Sequence, residues 1–152
     1  MSENPSGDIA LSNQYVAGLF DGEGCVTTSR QFINGKYEKY PRVRMQIQIA
    51  NTHVGLMNLL TRWFGGGCTD KMGGSRTKPC YSWRISGKEN MTRFLNYVKD
   101  YSVVKKSQIV LALVFCETLR DENLGCVPLG KETHEIRDKI HYGLRLLKAN
   151  GE

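Results

Sequence analysis

No apolar run in this sequence approaches the ~20 residues that a membrane-spanning helix requires. The opening stretch MSENPSGDIALSNQ lacks the basic and apolar blocks of a secretory signal, and it also lacks the arginine of a transit peptide. Nothing in it points to export. The five cysteines, Cys25, Cys68, Cys80, Cys116 and Cys126, are odd in number and show no CxxC spacing, which favours reduced thiols in an intracellular protein over a zinc site. His53, His134 and His141 are scattered without ligand spacing and are expected at the surface or as helix caps.

What is present is the make-up of an ordinary soluble chain, with 40% hydrophobic and 24% charged residues. A single domain over 1–152 is expected, with 1–11 as a loose tail and 120–152 as a C-terminal extension. A chain of this length hides roughly 68–70% of its unfolded surface, so folding needs neither a disulfide nor a metal. The net charge of +6 favours a polyanionic partner, because each phosphate neutralised by Lys or Arg releases counterions.

Along the chain, Ser12 or Asn13 can cap a helix through Tyr15, Val16, Leu19 and Phe20 that stops at Gly22 and Gly24, residues tolerant of left-handed geometry. Two stretches then read as strands, Cys25–Ile33 and Tyr40–Asn51, joined by a turn at Asn34-Gly35. In the second, Arg42, Arg44, Gln46 and Gln48 alternate with Val43, Met45, Ile47 and Ile49, and a period of two sends the two sets to opposite faces. Residues 52–64 carry a helical stripe of Val54, Leu56, Met57, Leu60 and Phe64 that ends at Gly65-Gly66-Gly67. A second hairpin follows, Cys68–Met72 and Pro79–Ile85 around Gly73-Gly74, with Trp63 and Trp83 as core aromatics. Helices are expected at Lys88–Asp100 and Val103–Leu119, and Thr133 can cap a last one carrying Ile136, Ile140, Leu144 and Leu147. On that helix Lys139, Arg145 and Lys148 read as a solvated basic face. The order predicts an α+β domain, an αββαββα core with a four-stranded antiparallel sheet and an additional C-terminal helix.

One segment carries chemistry. In Val16–Gly24, VAGLFDGEG, Ala17 and Gly18 are small enough for two helices to approach closely. Glycine inside a helix costs ~1 kcal/mol relative to alanine, so Gly18 needs a packing reason. Asp21 and Glu23 arrive where the helix unwinds, and a hard divalent cation wants such oxygens. A bare DGEG is usually a glycine-closed helix with two solvated acids. This one feeds a hairpin of alternating polar residues, and the whole resembles the signature of the LAGLIDADG homing endonucleases. The likeness extends to about Leu119 and is strongest in the motif.

That resemblance implies a saddle-shaped sheet and assigns roles position by position. Glu23 would bind the catalytic divalent ion, with the Gly22 carbonyl as a second ligand. Glutamate in place of the commoner aspartate moves the carboxylate by one methylene. Mg²⁺ or Mn²⁺ would support cleavage, and Ca²⁺ would bind without supporting it. Asp21 would mainly orient the helix end and joins Ala17 and Gly18 in the dimer interface. Asn51 looks like the family's water-positioning residue, though it reads nearly as well as a cap of the following helix. Lys105 looks like the electrostatic partner of the site, with Lys106 as a competing assignment.

The polar sheet face is the second observation. The major groove of B-DNA admits a two-stranded ribbon on which Arg pairs with guanine and Gln with adenine. Arg42, Arg44, Gln46, Gln48 and Arg84 suit that role, with Ser82 as a smaller partner. Alternation from Glu23 adds Thr27, Ser29 and Gln31, and Lys71, Arg76 and Lys78 are placed to reach bases or phosphates. An ordinary solvated face is the plain alternative. Because family members with two motifs work as monomers, the resemblance implies that this single motif belongs to a homodimer, hence a pseudo-palindromic double-stranded DNA target cut on both strands. The resemblance further implies an intron-encoded enzyme serving intron homing, housed with its genome in a prokaryotic cytoplasm or an organelle. Intron RNA is a possible second partner. The rival readings are an RNA maturase and a DNA-binding regulator on the same fold.

Overall fold

Ser12 starts the first helix by accepting the Tyr15 N–H at 3.2 Å on its hydroxyl, which pairs one of the helix's orphan donors. The computed structural model describes residues 9–32, 40–71, 78–120 and 129–151, with the backbone but not the side chain of Lys71. The elements are α1 (Asn13–Glu23), β1 (Gly24–Gln31), β2 (Arg42–Asn51), α2 (Val54–Phe64), β3 (Gly67–Lys71), β4 (Cys80–Ile85), α3 (Lys88–Val98), α4 (Lys106–Glu117) and α5 (Lys131–Ala149). The strands form one antiparallel sheet in the order β1-β2-β4-β3. The fold is the expected α+β arrangement. Asn34-Gly35, Gly73-Gly74, Arg76 and Cys126 lie outside the described residues.

The alternation in β2 decides which face is covered. Val43, Met45, Ile47 and Ile49 are buried, whereas Arg44 is exposed and Arg42, Gln46 and Gln48 are half-buried. Ile47 and Ile49 pair with Ile85 and Trp83 of β4, so that face belongs to the core. An aromatic cluster fills the space beneath it. Phe94 of α3 lies 5.3 Å from Phe20, 5.1 Å from Phe64 and 5.3 Å from Trp83, the first two edge-to-face as ring quadrupoles prefer. Trp83 satisfies its indole N–H on the Gly65 carbonyl at 3.0 Å. Gly66 reaches this turn with φ +84°, and a Cβ there would meet the Arg84 carbonyl oxygen at 2.2 Å.

The last helix lies along β1. His141 Nδ1 is 2.7 Å from Thr28 Oγ1, the Arg30 guanidinium pairs with Asp138 at 3.0 Å, and Lys148 donates to the Val26 carbonyl at 2.6 Å. His134 and His141 are therefore buried, at 5% and 7% exposure, against the expectation of surface histidines. Only His53 behaves as a cap, accepting the Leu56 N–H. Helix α5 begins at Lys131 after Gly130, so Thr133 lies inside it rather than capping it. Helix α4 begins at Lys106, not Val103, because the residues before it are held in a turn by Asp21.

Candidate active site and nucleic-acid interface

Helix α1 is divided lengthwise. Val16, Ala17 and Phe20 point into the core, each fully buried, while Tyr15, Gly18, Gly22 and Glu23 are exposed. Ala17, expected at a dimer interface, has its methyl buried in the chain's own core. Gly18 remains on the outer face with Gly22 one turn on, and neither has any atom within 4 Å of where a Cβ would stand. Among the described residues, nothing demands glycine at these two positions.

The helix ends differently from expectation. It continues through Glu23, and Gly24 follows in extended conformation, φ −90° and ψ 161°, not in the left-handed region. Gly24 is needed for closeness: a Cβ would stand 2.1 Å from Phe20 Cδ2 and 2.5 Å from the Phe20 oxygen. The tight exit leaves Glu23 exposed at the helix C-terminus, where the partial negative charge of the carbonyls favours a cation.

The two acids of the motif are chemically distinct. Asp21 turns its carboxylate onto its own chain, accepting from the Ser102 hydroxyl and the N–H groups of Val103 (2.7 Å), Val104 (3.2 Å) and Lys105 (3.3 Å). Burial by itself pushes this carboxyl up, but those donors outweigh it and hold its pKa below the ordinary carboxylate value. Asp21 is thus tied internally to the lead-in of α4. Glu23 is the acid left to meet an external ligand.

Lys105 is brought to the same place. Its ammonium donates to the Asp21 carbonyl and lies 5.9 Å from the Phe20 ring centroid. Lys106, the competing assignment, is an exposed first residue of α4. Asn51 closes the turn before α2: its side-chain oxygen accepts the His53 N–H at 2.9 Å, and His53 is the cap itself. The pairing of Gly24 with Ile49 sets Asn51 two residues beyond the strand position next to Glu23.

The donors suit a divalent cation completed from outside. The Glu23 carboxylate and the Gly22 carbonyl beside it could supply two oxygens, whereas a hard cation takes six or more. Among the described residues there is no cluster of three or more His, Cys, Asp or Glu side chains able to enclose a metal.

The register also defines the open face of the sheet. Gln31, Ser29, Thr27 and Cys25 stand opposite Arg42, Arg44, Gln46 and Gln48, so these eight share one side. Arg84 pairs with Gln48 and joins them. Ser82 shares this side but is fully buried between Ala50 and Thr69, and its hydroxyl accepts the Arg84 Nε–H at 3.3 Å. Its hydroxyl therefore serves to orient Arg84 on that side of the sheet. Lys78 is exposed just before β4. Lys71 pairs with Cys80 at the end of β3. Thr69, exposed opposite Ser82, escaped the sequence reading because β3 lacks a clear alternation. Ser102 escaped it too, and the only trace is a small polar residue in the lead-in YSVVKK.

A polar sheet saddled over helices, with one exposed acid at the end of a glycine-lined helix, defines the class of protein. The LAGLIDADG endonuclease family model matches residues 16–117, more than half of the chain, and the chain belongs to that family. The 152 residues carry one copy of its motif. No curated protein is significantly similar in sequence. Among solved structures, the archaeal intron-encoded homing endonuclease I-Vdi141I, complexed with DNA, is 19% identical with a TM-score of 0.71, covering 89% of this chain and 82% of that one. I-CvuI, in complex with an uncleaved I-CreI target in the presence of Mg, is 17% identical with a TM-score of 0.65 and coverage of 89% and 80%. I-SmaMI, bound to an uncleaved DNA target in the presence of calcium ions, is 22% identical with a TM-score of 0.66; 93% of this chain matches 49% of that one.

Proposed function

We propose that this protein is a homodimeric, site-specific homing endonuclease that hydrolyses both strands of a pseudo-palindromic DNA duplex. The observation that carries the proposal is the division of labour between the two acids, with Asp21 consumed inside the chain and Glu23 exposed at the C-terminus of α1. Two copies packed through Gly18 and Gly22 would bring both Glu23 carboxylates together. Like charges at that distance are costly unless cations lie between them. Mg²⁺ or Mn²⁺, held by Glu23, the Gly22 carbonyl and DNA phosphate, would supply an activated water and charge stabilisation at the scissile phosphate. Lys105 adds positive charge at the same helix end, and Asn51 would serve as a polar neighbour for water.

The open face supports duplex DNA as the substrate. Arg42, Arg44, Gln46, Gln48 and Arg84, with Ser29 and Gln31 on the edge strand, form a two-dimensional array of long donors and acceptors suited to the major groove. The DNA complexes of the structural neighbours, with Mg in one and calcium in another, are consistent with this reading. Intron encoding, possible binding of the intron RNA, and residence in the compartment of that genome belong to the same proposal.

The test is Glu23→Gln on a target assembled from the sequences flanking the reading frame. Cleavage with Mg²⁺ should fall by more than ~100-fold while DNA binding in Ca²⁺ persists. Cleavage at the wild-type rate would remove Glu23 as the metal ligand.

A further inference from the structure

We infer that Asp21 and Ser102 are positioning residues that deliver Lys105 to the cleavage site, an inference that rests on the nuclease reading above. The contacts form a closed loop between two elements distant in sequence. From α1, the Asp21 carboxylate gathers the N–H groups of Val103, Val104 and Lys105. These donors lie just before and at the N-cap of α4, where no side-chain cap is present, so a carboxylate from another helix fixes the lead-in to that helix. In return, the Lys105 ammonium donates to the backbone carbonyl of the same Asp21. One residue therefore holds both ends of the lysine, its backbone through the carboxylate and its charge through the carbonyl.

Ser102 completes the arrangement. It is a polar residue at 1% exposure, and its hydroxyl donates to Asp21 Oδ1. A buried hydroxyl needs such a partner, and this partner also fixes which way the carboxylate faces. Lysine carries a long, flexible stem with roughly 2 kcal/mol of rotamer entropy, so without a latch it would sample many positions. Held here, its charge lies two residues from Glu23 before any substrate arrives. Donors that need no reorganisation are worth most in catalysis.

The latch makes a prediction that simple structural support does not. Asp21→Asn, whose amide has only one acceptor oxygen, should lower the single-turnover cleavage rate by ~10–100-fold, the range that a small misplacement of a catalytic group produces. DNA affinity in Ca²⁺ should stay near the wild-type value. Ser102→Ala, the milder change, should move the rate in the same direction by less. In a Lys105→Ala background either substitution should cost no more than about twofold further, since the group being positioned is already gone. If Asp21→Asn and Ser102→Ala lose as much rate in that background as in the wild type, or lose none in the wild type, the inference is overturned. Should wild-type protein fail to cleave, the nuclease reading falls, and the latch is then decided by nitrogen NMR of labelled lysine. A slowly exchanging Lys105 ammonium signal that is lost in Asp21→Asn supports the latch, and a signal unchanged in the variant refutes it.

Discussion

The ring of Phe20 lies against the backbone of Gly24, so close that a Cβ at Gly24 would stand 2.1 Å from Phe20 Cδ2. Phe20 is fully buried and wedged edge-on against Phe94, which leaves it no room to yield. Gly24→Ala is therefore an overpacking change and should destabilise the chain by about 1–3 kcal/mol. Urea unfolding measures it, and a midpoint equal to the wild type would contradict this packing.

Gly18 gives the opposite expectation. Among the described residues, nothing beyond the helix's own backbone lies within 4 Å of its missing Cβ, so a side chain there points away from the core. Gly18→Leu should keep the monomer folded, with a helix-propensity gain of up to ~1 kcal/mol offsetting the cost of one more exposed apolar group. It should also prevent two copies of α1 from packing. Sedimentation should then show a monomer with a native circular dichroism spectrum. A variant that remains dimeric would place the interface elsewhere.

Two arginines in paired strands separate binding from stability. Arg44 is exposed on the open face, whereas Arg30, one pair further along, turns to α5 and its salt bridge with Asp138. Arg44→Ala should weaken DNA binding and relax the preference at one base pair by ~1–3 kcal/mol of discrimination. Arg30→Ala should leave the preference unchanged and loosen α5. Binding selections on a randomised target distinguish the two. Equal effects on specificity would refute the facing assigned by the register.

The face of the sheet was legible in advance because a period of two in Arg42–Ile49 carries its own geometry. The family was legible because its motif, Val16–Gly24, is compact in sequence. What was hidden depended on contacts far apart in the chain. Ala17 and Gly18 are both small and adjacent, yet a helix turns 100° per residue, so one enters the core and the other leaves it. Asp21 meets Ser102 across 81 positions, and no local pattern announces that pairing. Ser82 lies on the correct face by alternation but is covered by the neighbouring strands, which the spacing of one strand cannot reveal. The burial of His141 against Thr28 and of His134 beside Tyr40 likewise depends on how α5 lies across the sheet.

His141 gives the fold a pH dependence whose direction can be worked out. Burial, reinforced by the positive charges of Arg145 and Arg30 and partly opposed by Asp138, pushes its pKa below the ordinary 6.5. The unfolded chain therefore binds this proton more readily than the folded one. The contribution to stability is complete above about pH 6.5 and is lost as the pH falls from there to the depressed folded value, below which it no longer changes. Protonation would also change the 2.7 Å contact between Nδ1 and the Thr28 hydroxyl, because a charged imidazole can only donate. Urea midpoints at pH 8 and pH 5 should drop more for the wild type than for His141→Gln, whose side chain does not titrate. An equal drop in both proteins would assign the acid sensitivity to other groups.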